Sequence, residues 1–213
     1  VKKAVVAGGG FIGLEMAENL LQKGVAPTVV EAASQILPGV LDPEMAGYVK
    51  RHLQQNGVRV LTGTTAQGIS GQERAEAVQT SGGSLPCGAV VFSVGVRPNT
   101  AFLEGTGIEM QKGAVVVDEK LRTSLPDIYA AGDCALVKNR LTGRTQWSPM
   151  GSSANLEGRT LAQALAGEEK SFAGVLGTAV CRLPGLNVAK TGLTEQAAKD
   201  AGYNVETALI VTD

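Results

Sequence analysis

Residues 3–7 (Lys-Ala-Val-Val-Ala) carry an apolar run straight into Gly8-Gly9-Gly10, the pattern of a short buried strand. Over residues 11–23 the period becomes helical. Ile12, Met16, Leu20 and Leu21 share one face, and Gly24 stops the element. Pro27–Glu31 predicts a second buried strand. Asp42-Pro43-Glu44 opens a second helix, with Asp as N-cap and Pro at the first helical position; the helix runs to Asn56-Gly57. Val58–Leu61 predicts a third strand. A β-α-β-α-β order with short connections predicts a parallel sheet with right-handed crossovers.

Residues 64–86 lose the helical period. Gly68, Gly71, Gly82 and Gly83 punctuate short polar stretches, which predicts an antiparallel meander. Ala89–Val94 returns as a buried strand, and the composition shifts after Arg97-Pro98-Asn99. Ala114–Val117 and Ile128–Ala131 predict two more strands, and Gly151–Leu165 a long helix with small residues on one face. From Phe172 the pattern changes again: a strand near Thr178–Leu183, a helix over Thr194–Ala201 and a strand at Val205–Val211. There is no internal repeat and no low-complexity tract.

Composition narrows the class. The 213 residues are 44% hydrophobic, enough to bury a core. Their 28 glycines are nearly twice the usual share of about 7%, without the three-residue period of collagen. With aromatics at 4% and 19 basic against 20 acidic residues, neither a stacking platform nor a phosphate-backbone binder is expected, so nucleic acid is not a partner. The three cysteines form no CxxC or CxxxC pair, and His52 stands alone, so neither a disulfide scaffold nor a metal site is expected. Val1-Lys2-Lys3 and the apolar stretch after it look superficially like a signal peptide, but the glycines and Glu15 spoil the match. No apolar run approaches the ~18 residues of a membrane helix. A soluble cytoplasmic α/β protein is expected, and the start without Met reads as a segment of something longer.

Gly8-x-Gly10-x-x-Gly13 lies between a strand and a helix, the context in which a glycine triplet binds a dinucleotide. The first glycine permits the tight turn, the second lets a pyrophosphate approach the backbone, and the third lets helix and strand pack closely. The helix N-terminus adds free N–H groups and partial positive charge. Gly9, Phe11 and Ile12 belong to the same loop. Glu31, at the end of the second strand, is placed to accept hydrogen bonds from an adenosine ribose; otherwise it is a solvated strand-end acid. A 2′-phosphate would meet like charge there. At ~4 Å two unit charges repel by about 1 kcal/mol in water and about 4 kcal/mol at an effective dielectric of 20, roughly fivefold to nearly a thousandfold. Residues 32–41 hold no Arg or Lys to clamp a phosphate. NAD(H) is therefore expected over NADP(H).

Four segments, VVAGGGFIGLEMAENL, FSVGVRPNT, TSLPDIYAAGDCA and WSPMGSSANLEGRTLAQALAG, resemble the flavin-dependent pyridine nucleotide–disulfide oxidoreductases, and the likeness runs from residue 1 to the end. The tail from Gly174, with its GTAV and TGLTE passages, resembles the NADH oxidase, NADH peroxidase and coenzyme A-disulfide reductase branch. Ferredoxin reductase-type relatives share GGGFIGLE and GDC but not that tail. The resemblance implies an α/β fold in three parts. These are a Rossmann-like NAD(P)-binding domain with parallel sheet and β-meander (1–112), the C-terminal part of an FAD-binding domain (113–170), and the start of an α+β interface domain (171–213). The family's first FAD-binding βαβ unit and redox-active cysteine would lie upstream of Val1.

The resemblance also implies roles. Gly8, Gly10 and Gly13 would carry the NAD(H) pyrophosphate and Glu31 the ribose. Phe11 would be an aromatic gate at the nicotinamide, or a helix-start residue packed on the sheet. Glu15 would be an acid near the carboxamide and flavin edge, or an ordinary first-turn acid. Gly95 would let backbone approach the dinucleotide. Gly132 and Asp133 would meet FAD, Asp133 accepting from the ribityl and pyrophosphate end, or would merely cap an element begun by Cys134 and Ala135 with free N–H groups. Cys87, Cys134 and Cys181 have neither a partner cysteine nor a basic activator, and His52 reads as an exposed helix residue.

The implied activity is hydride transfer from NADH to FAD, then to a cysteine-based acceptor (disulfide, peroxide or oxygen), in a homodimer. The 213 residues alone are expected not to turn over. Two other classes stay open: a stand-alone NAD(H)-binding module or subunit whose flavin half another polypeptide supplies, and a dehydrogenase acting directly on a small molecule. The second lacks any general base beyond Glu15.

Overall fold

Ala4, Val5, Val6 and Ala7 are all buried, as a strand flanked on both sides requires. The computed structural model describes residues 1–210. It opens with β1 (Lys3–Ala7), α1 (Phe11–Gln22), β2 (Ala26–Val30), α2 (Pro43–Gln55) and β3 (Arg59–Leu61). An antiparallel meander follows, β4 (Ala66–Ser70), β5 (Ala77–Thr80) and β6 (Gly83–Pro86), and then β7 (Ala89–Phe92). The main sheet has the order β3-β2-β1-β7, with every pairing parallel. The α/β class, the parallel sheet and the meander thus match the sequence-based expectation.

The remaining elements are β8 (Met110–Gln111), β9 (Ala114–Val116), β10 (Ala135–Lys138), β11 (Thr145–Trp147), α3 (Gly151–Leu165), β12 (Ala179–Leu183), β13 (Leu186–Lys190) and α4 (Glu195–Asp200). Contacts divide the chain into two units. The first joins Val1–Gly95 to Ala179–Lys190 and to residues 194–210; the second joins Val96–Thr178 to Thr191–Leu193. These bounds differ from the functional boundaries expected after residues 112 and 170. In the first unit, Cys181, Leu183 and Val188 of the β12–β13 hairpin share one core with Val6, Leu14, Val29 and Leu53. In the second, a mixed sheet of order β11-β10-β9-β8 carries a core of Leu121, Ala135, Val137, Phe172 and Val175.

Several elements depart from expectation. On α1 the buried face is Gly13, Leu14, Ala17 and Glu18, whereas Ile12 is 61% and Met16 38% exposed. The small residues Gly13 and Ala17 bring the helix close to the sheet, so the face containing them turns inward and rotates the Ile12–Met16 line outward. Asp42 stands at the N-cap of α2 but does not cap it. Its Oδ1 accepts instead from Glu195 N at 2.9 Å, the first residue of α4. His52 is half-buried, its Nε2 paired with the Pro184 carbonyl in the β12–β13 turn.

Ile128–Ala131 is extended but not a ladder strand; its one bridge is Arg122 to Tyr129. Its backbone bonds go to residues 121–123, Thr123 N donating to Ile128 O at 2.9 Å and Ala130 N to Leu121 O at 3.1 Å, while the Ile128 and Tyr129 side chains stay exposed. Cys134 and Ala135 close a turn, Ala135 N donating to Gly132 O at 2.9 Å, and lead into strand β10, so the donor of Ala135 is not free. Residues 205–210 form no strand, and Leu209 and Ile210 remain exposed; residue 211 of that predicted element lies outside the described residues. No described helix is long and apolar enough to cross a membrane.

Candidate functional site

The glycine loop is built by contact between backbones. Gly8 has φ +111°, and a Cβ there would lie 2.0 Å from the Ser93 carbonyl oxygen just past β7. A Cβ on Gly13 would lie 2.0 Å from the Gly8 carbonyl oxygen, so only glycine lets α1 start this close to β1. Gly10 is different: a Cβ there meets nothing within 4 Å, which leaves its face open to an approaching group. Gly10 is also the N-cap of α1 in extended conformation, with no side chain capping the helix. Leu14 N is the first helical donor to reach a carbonyl, that of Gly10 at 3.0 Å, and the donors before it remain for a ligand.

Glu31 is joined to this loop rather than standing beside it. Its Oε2 accepts from Gly9 N at 2.6 Å and its Oε1 from Ala33 N at 2.8 Å. Its own backbone is fixed to the end of β3 through Leu61 O and Thr64 N. The half-buried carboxylate therefore sits at the carboxyl end of the parallel sheet, where such folds bind ligands. Phe11 is half-buried and packs against the main core, while Ile12 points to solvent. Glu15 is half-buried and lies in the second turn of α1, since the helix begins at Phe11; the first turn has no acid. Gly95 has φ +100° with open space around its Cα, past the end of β7.

In the second unit, Gly132 has φ +83°, which turns the chain after the extended Ile128–Ala131 segment. Asp133 is exposed, and its carbonyl accepts from Trp147 Nε1 at 2.7 Å. Behind the loop stands a residue that the sequence reasoning passed over. Glu157 is the one buried residue of α3, at 1% exposure, and its Oε2 accepts from Gly132 N at 2.6 Å. Burial raises its pKa, the Gly132 bond opposes the rise, and the Asp133 charge adds to it. An acid on the small-residue face of a helix, with Ala154 three before and Leu161 four after, was the available signal.

The structure thus brings Gly8, Gly9, Gly10, Gly13 and Glu31 into one site and sets Gly132 with Asp133 in another. A cavity of about 620 Å³ on the second unit's sheet is lined by Lys112, Arg144 and Trp147 among others, and contains none of the expected site residues. Cys87 and Cys181 are buried and Cys134 half-buried, all as free thiols. Burial, followed by the charges of Glu15 and Glu18, pushes Cys181 up to about 11. Burial also raises Cys87. Neither has the depressed pKa of a reactive thiolate.

The family model for pyridine nucleotide-disulphide oxidoreductases matches residues 1–156. The chain belongs to this family. It is 40% identical over 197 residues to an NADH oxidase of Methanocaldococcus jannaschii, covering 92% of this chain and 44% of that protein. It is 36% identical over 212 residues to a CoA-dependent NAD(P)H sulfur oxidoreductase of Pyrococcus furiosus, covering 99% and 48%. The crystal structure of an FAD-dependent pyridine nucleotide-disulphide oxidoreductase from Desulfovibrio vulgaris superposes with a TM-score of 0.90 at 38% identity, over 96% of this chain and 52% of that one. The chain spans about half the length of the curated relatives it matches. Family membership accounts for the glycine loop on a parallel sheet and for a second, separately cored unit that carries the Gly132-Asp133 loop.

Proposed function

We propose that this chain supplies the NAD(H) site and part of the FAD site of an NADH-dependent flavoprotein oxidoreductase that acts on a cysteine-based acceptor: a disulfide, a peroxide or oxygen. The observation that carries it is the Glu31 carboxylate hydrogen-bonded to the glycine loop at the carboxyl end of the parallel sheet. The functional parts are residues 1–112 for NAD(H), 113–170 for FAD and 171–213 for the interface of a homodimer. The open face of Gly10 fits a pyrophosphate, and the exposed Asp133 carboxylate on its pinned loop fits a ribityl hydroxyl. Bound there, FAD would supply the hydride-accepting chemistry that none of the described side chains offers.

The chain's own residues bind and orient. The α1 N-terminus receives the phosphates, and Glu31 accepts from the ribose hydroxyls while repelling a 2′-phosphate, so NADH is preferred over NADPH. Phe11 screens the nicotinamide position and Glu15 borders it, Gly95 lets backbone pass close to the dinucleotide, and Gly9 and Ile12 complete the loop. A cytoplasmic location fits three free thiols.

A second reading, an NAD(H)-binding module whose flavin half comes from another polypeptide, is favoured by the continuous core of the first unit. The visible spectrum of the purified chain before and after anaerobic NADH, run beside NADH and NADPH titrations, separates the two. A yellow protein bleached by NADH supports the first reading, and a colourless protein that binds NADH supports the second. A chain that binds neither nucleotide overturns both. Steady turnover of NADH with a disulfide or peroxide by these 213 residues alone would contradict the expected need for an upstream cysteine.

A further inference from the structure

The geometry points to Glu157 as a positioning residue: by holding Gly132 N–H it fixes the 131–134 loop on which Asp133 is presented to the flavin. The flavin part of this inference rests on the proposed function, whereas the anchoring of the loop does not. Glu157 is 1% exposed, it is the only buried residue of α3, and its carboxylate accepts from Gly132 N at 2.6 Å. The loop is held from three sides. Glu157 takes the Gly132 N–H, Trp147 Nε1 donates to the Asp133 carbonyl, and Ala135 N closes the turn onto Gly132 O. Ala154 of α3 touches the same glycine, since a Cβ added there would stand 3.5 Å from its methyl.

A buried acid with no cation is an expensive choice if its only task is to fill space. Among the described residues no basic side chain pairs with Glu157. The titratable group that acts on it from the loop is Asp133; its helical neighbours Ala154 and Leu161 are uncharged, and so are Leu121, Phe172 and Val175 in the adjoining core. The chemistry that remains is that of an acceptor aimed at one backbone donor. This acceptor keeps that donor from turning outward and sets the direction in which Asp133 leaves the turn. Burial favours the neutral acid, which spares the loop a second negative charge beside that of Asp133.

Trp147 is the only tryptophan, so its emission reports on this loop in the intact chain. The test compares wild type with E157Q, E157A and D133N, each checked for folding by circular dichroism. Amide exchange at Gly132 by NMR and Trp147 emission as a function of pH are the readouts. Gly132 exchange should quicken roughly tenfold in E157A and stay near wild type in E157Q, whose amide oxygen still accepts. The wild-type emission should show a step above the ordinary glutamate range that E157Q lacks and D133N moves to lower pH. If E157A does not fold, this pH comparison decides alone.

Equal Gly132 exchange in all variants, or a pH step that survives in E157Q, overturns the anchoring role. Added FAD, followed by quenching of Trp147, tests the flavin part: E157A should bind roughly tenfold more weakly and E157Q as wild type. Equal affinity in all variants overturns the positioning of Asp133. No binding by wild type overturns the flavin assignment alone, and Gly132 exchange still judges the anchor.

Discussion

The two units contain the same bond in opposite settings. In each, a glycine N–H is held at 2.6 Å by a glutamate Oε2: Gly9 by Glu31 in the first unit, Gly132 by Glu157 in the second. Glu31 is half-buried, shares its second oxygen with Ala33 N, and faces the edge where a ligand would arrive. Glu157 is fully buried, has the one partner, and lies behind its loop. The glycines differ too. Gly8 and Gly13 of the first loop are required by backbone pressed on backbone, whereas Gly132 is required by its positive φ, with only a methyl in ordinary contact. Steric necessity leaves a motif in the sequence; a positive φ and a buried acceptor leave almost none.

The largest effects should therefore come from the first loop's glycines. G8A or G13A sets a methyl 2.0 Å from a carbonyl oxygen and must move backbone. The expected cost is about 2–4 kcal/mol, and more for G8A, which also carries φ +111°. NADH binding should be lost with it. G132A should cost only about 1–2 kcal/mol from its φ and leave NADH binding intact. G10A, with open space around it, should leave thermal stability nearly unchanged yet weaken NADH, since its methyl occupies the approach. Thermal melts and NADH titrations check all four. Equal losses for G8A and G132A would erase the distinction.

That distinction also explains what was legible. Gly8, Gly10, Gly13 and Glu31 were readable because a strand, a turn and a helix must surround such a triplet, and the structure places all four together. The buried face of α1 was misread because Ile12 and Met16 also fit a helical period; hydrophobicity did not reveal that Gly13 and Ala17 let the helix approach. Ile128–Ala131 had a strand's composition, but it pairs through one isolated bridge, Arg122 to Tyr129, and builds no ladder. The β12–β13 hairpin takes its place in the first core through Cys181, Leu183 and Val188, contacts too distant in sequence for any local pattern to announce.

Alkaline pH should separate the units next. Cys181 lies in the first unit's core with its pKa pushed from an ordinary value near 9 to about 11. The unfolded thiol ionises first, so stability is full below pH 9 and falls as pH rises through 11, by about 3 kcal/mol. Glu157 is also raised, so its contribution in the second unit is likewise present at low pH and declines as pH rises, but from the ordinary carboxylate range upward. Urea melts across pH should show an alkaline loss that C181A removes and E157Q leaves. An alkaline loss unchanged in C181A would move its cause elsewhere.

Removing the carboxylates comes third. E31A strands two backbone donors, of Gly9 and Ala33, and should cost about 2 kcal/mol while reducing the preference for NADH over NADPH toward unity. E157A strands one donor but also removes a costly buried acid, so a net loss of about 1 kcal/mol is expected, with nucleotide preference untouched. Melts paired with the two titrations would reveal a failure of either half. A preference that survives E31A would detach Glu31 from ribose recognition.

The smallest effect tests what holds the hairpin to the first unit. Arg182 Nε lies 3.8 Å from the buried Glu18 carboxylate, at the long end for an ion pair, and its side chain is 79% exposed. Glu18 already accepts from Gln22 Nε2 at 3.1 Å on its own helix. Solvent screens the guanidinium, and ordering a long side chain offsets much of the remaining attraction. R182A should therefore change stability by less than about 0.5 kcal/mol. L183A, one residue on and fully buried in the common core, should cost about 2–5 kcal/mol. Comparable losses for the two would mean that charge rather than apolar burial fastens β12 to α1. The Glu15 and Glu18 charges that act on Cys181 would then have a structural task as well.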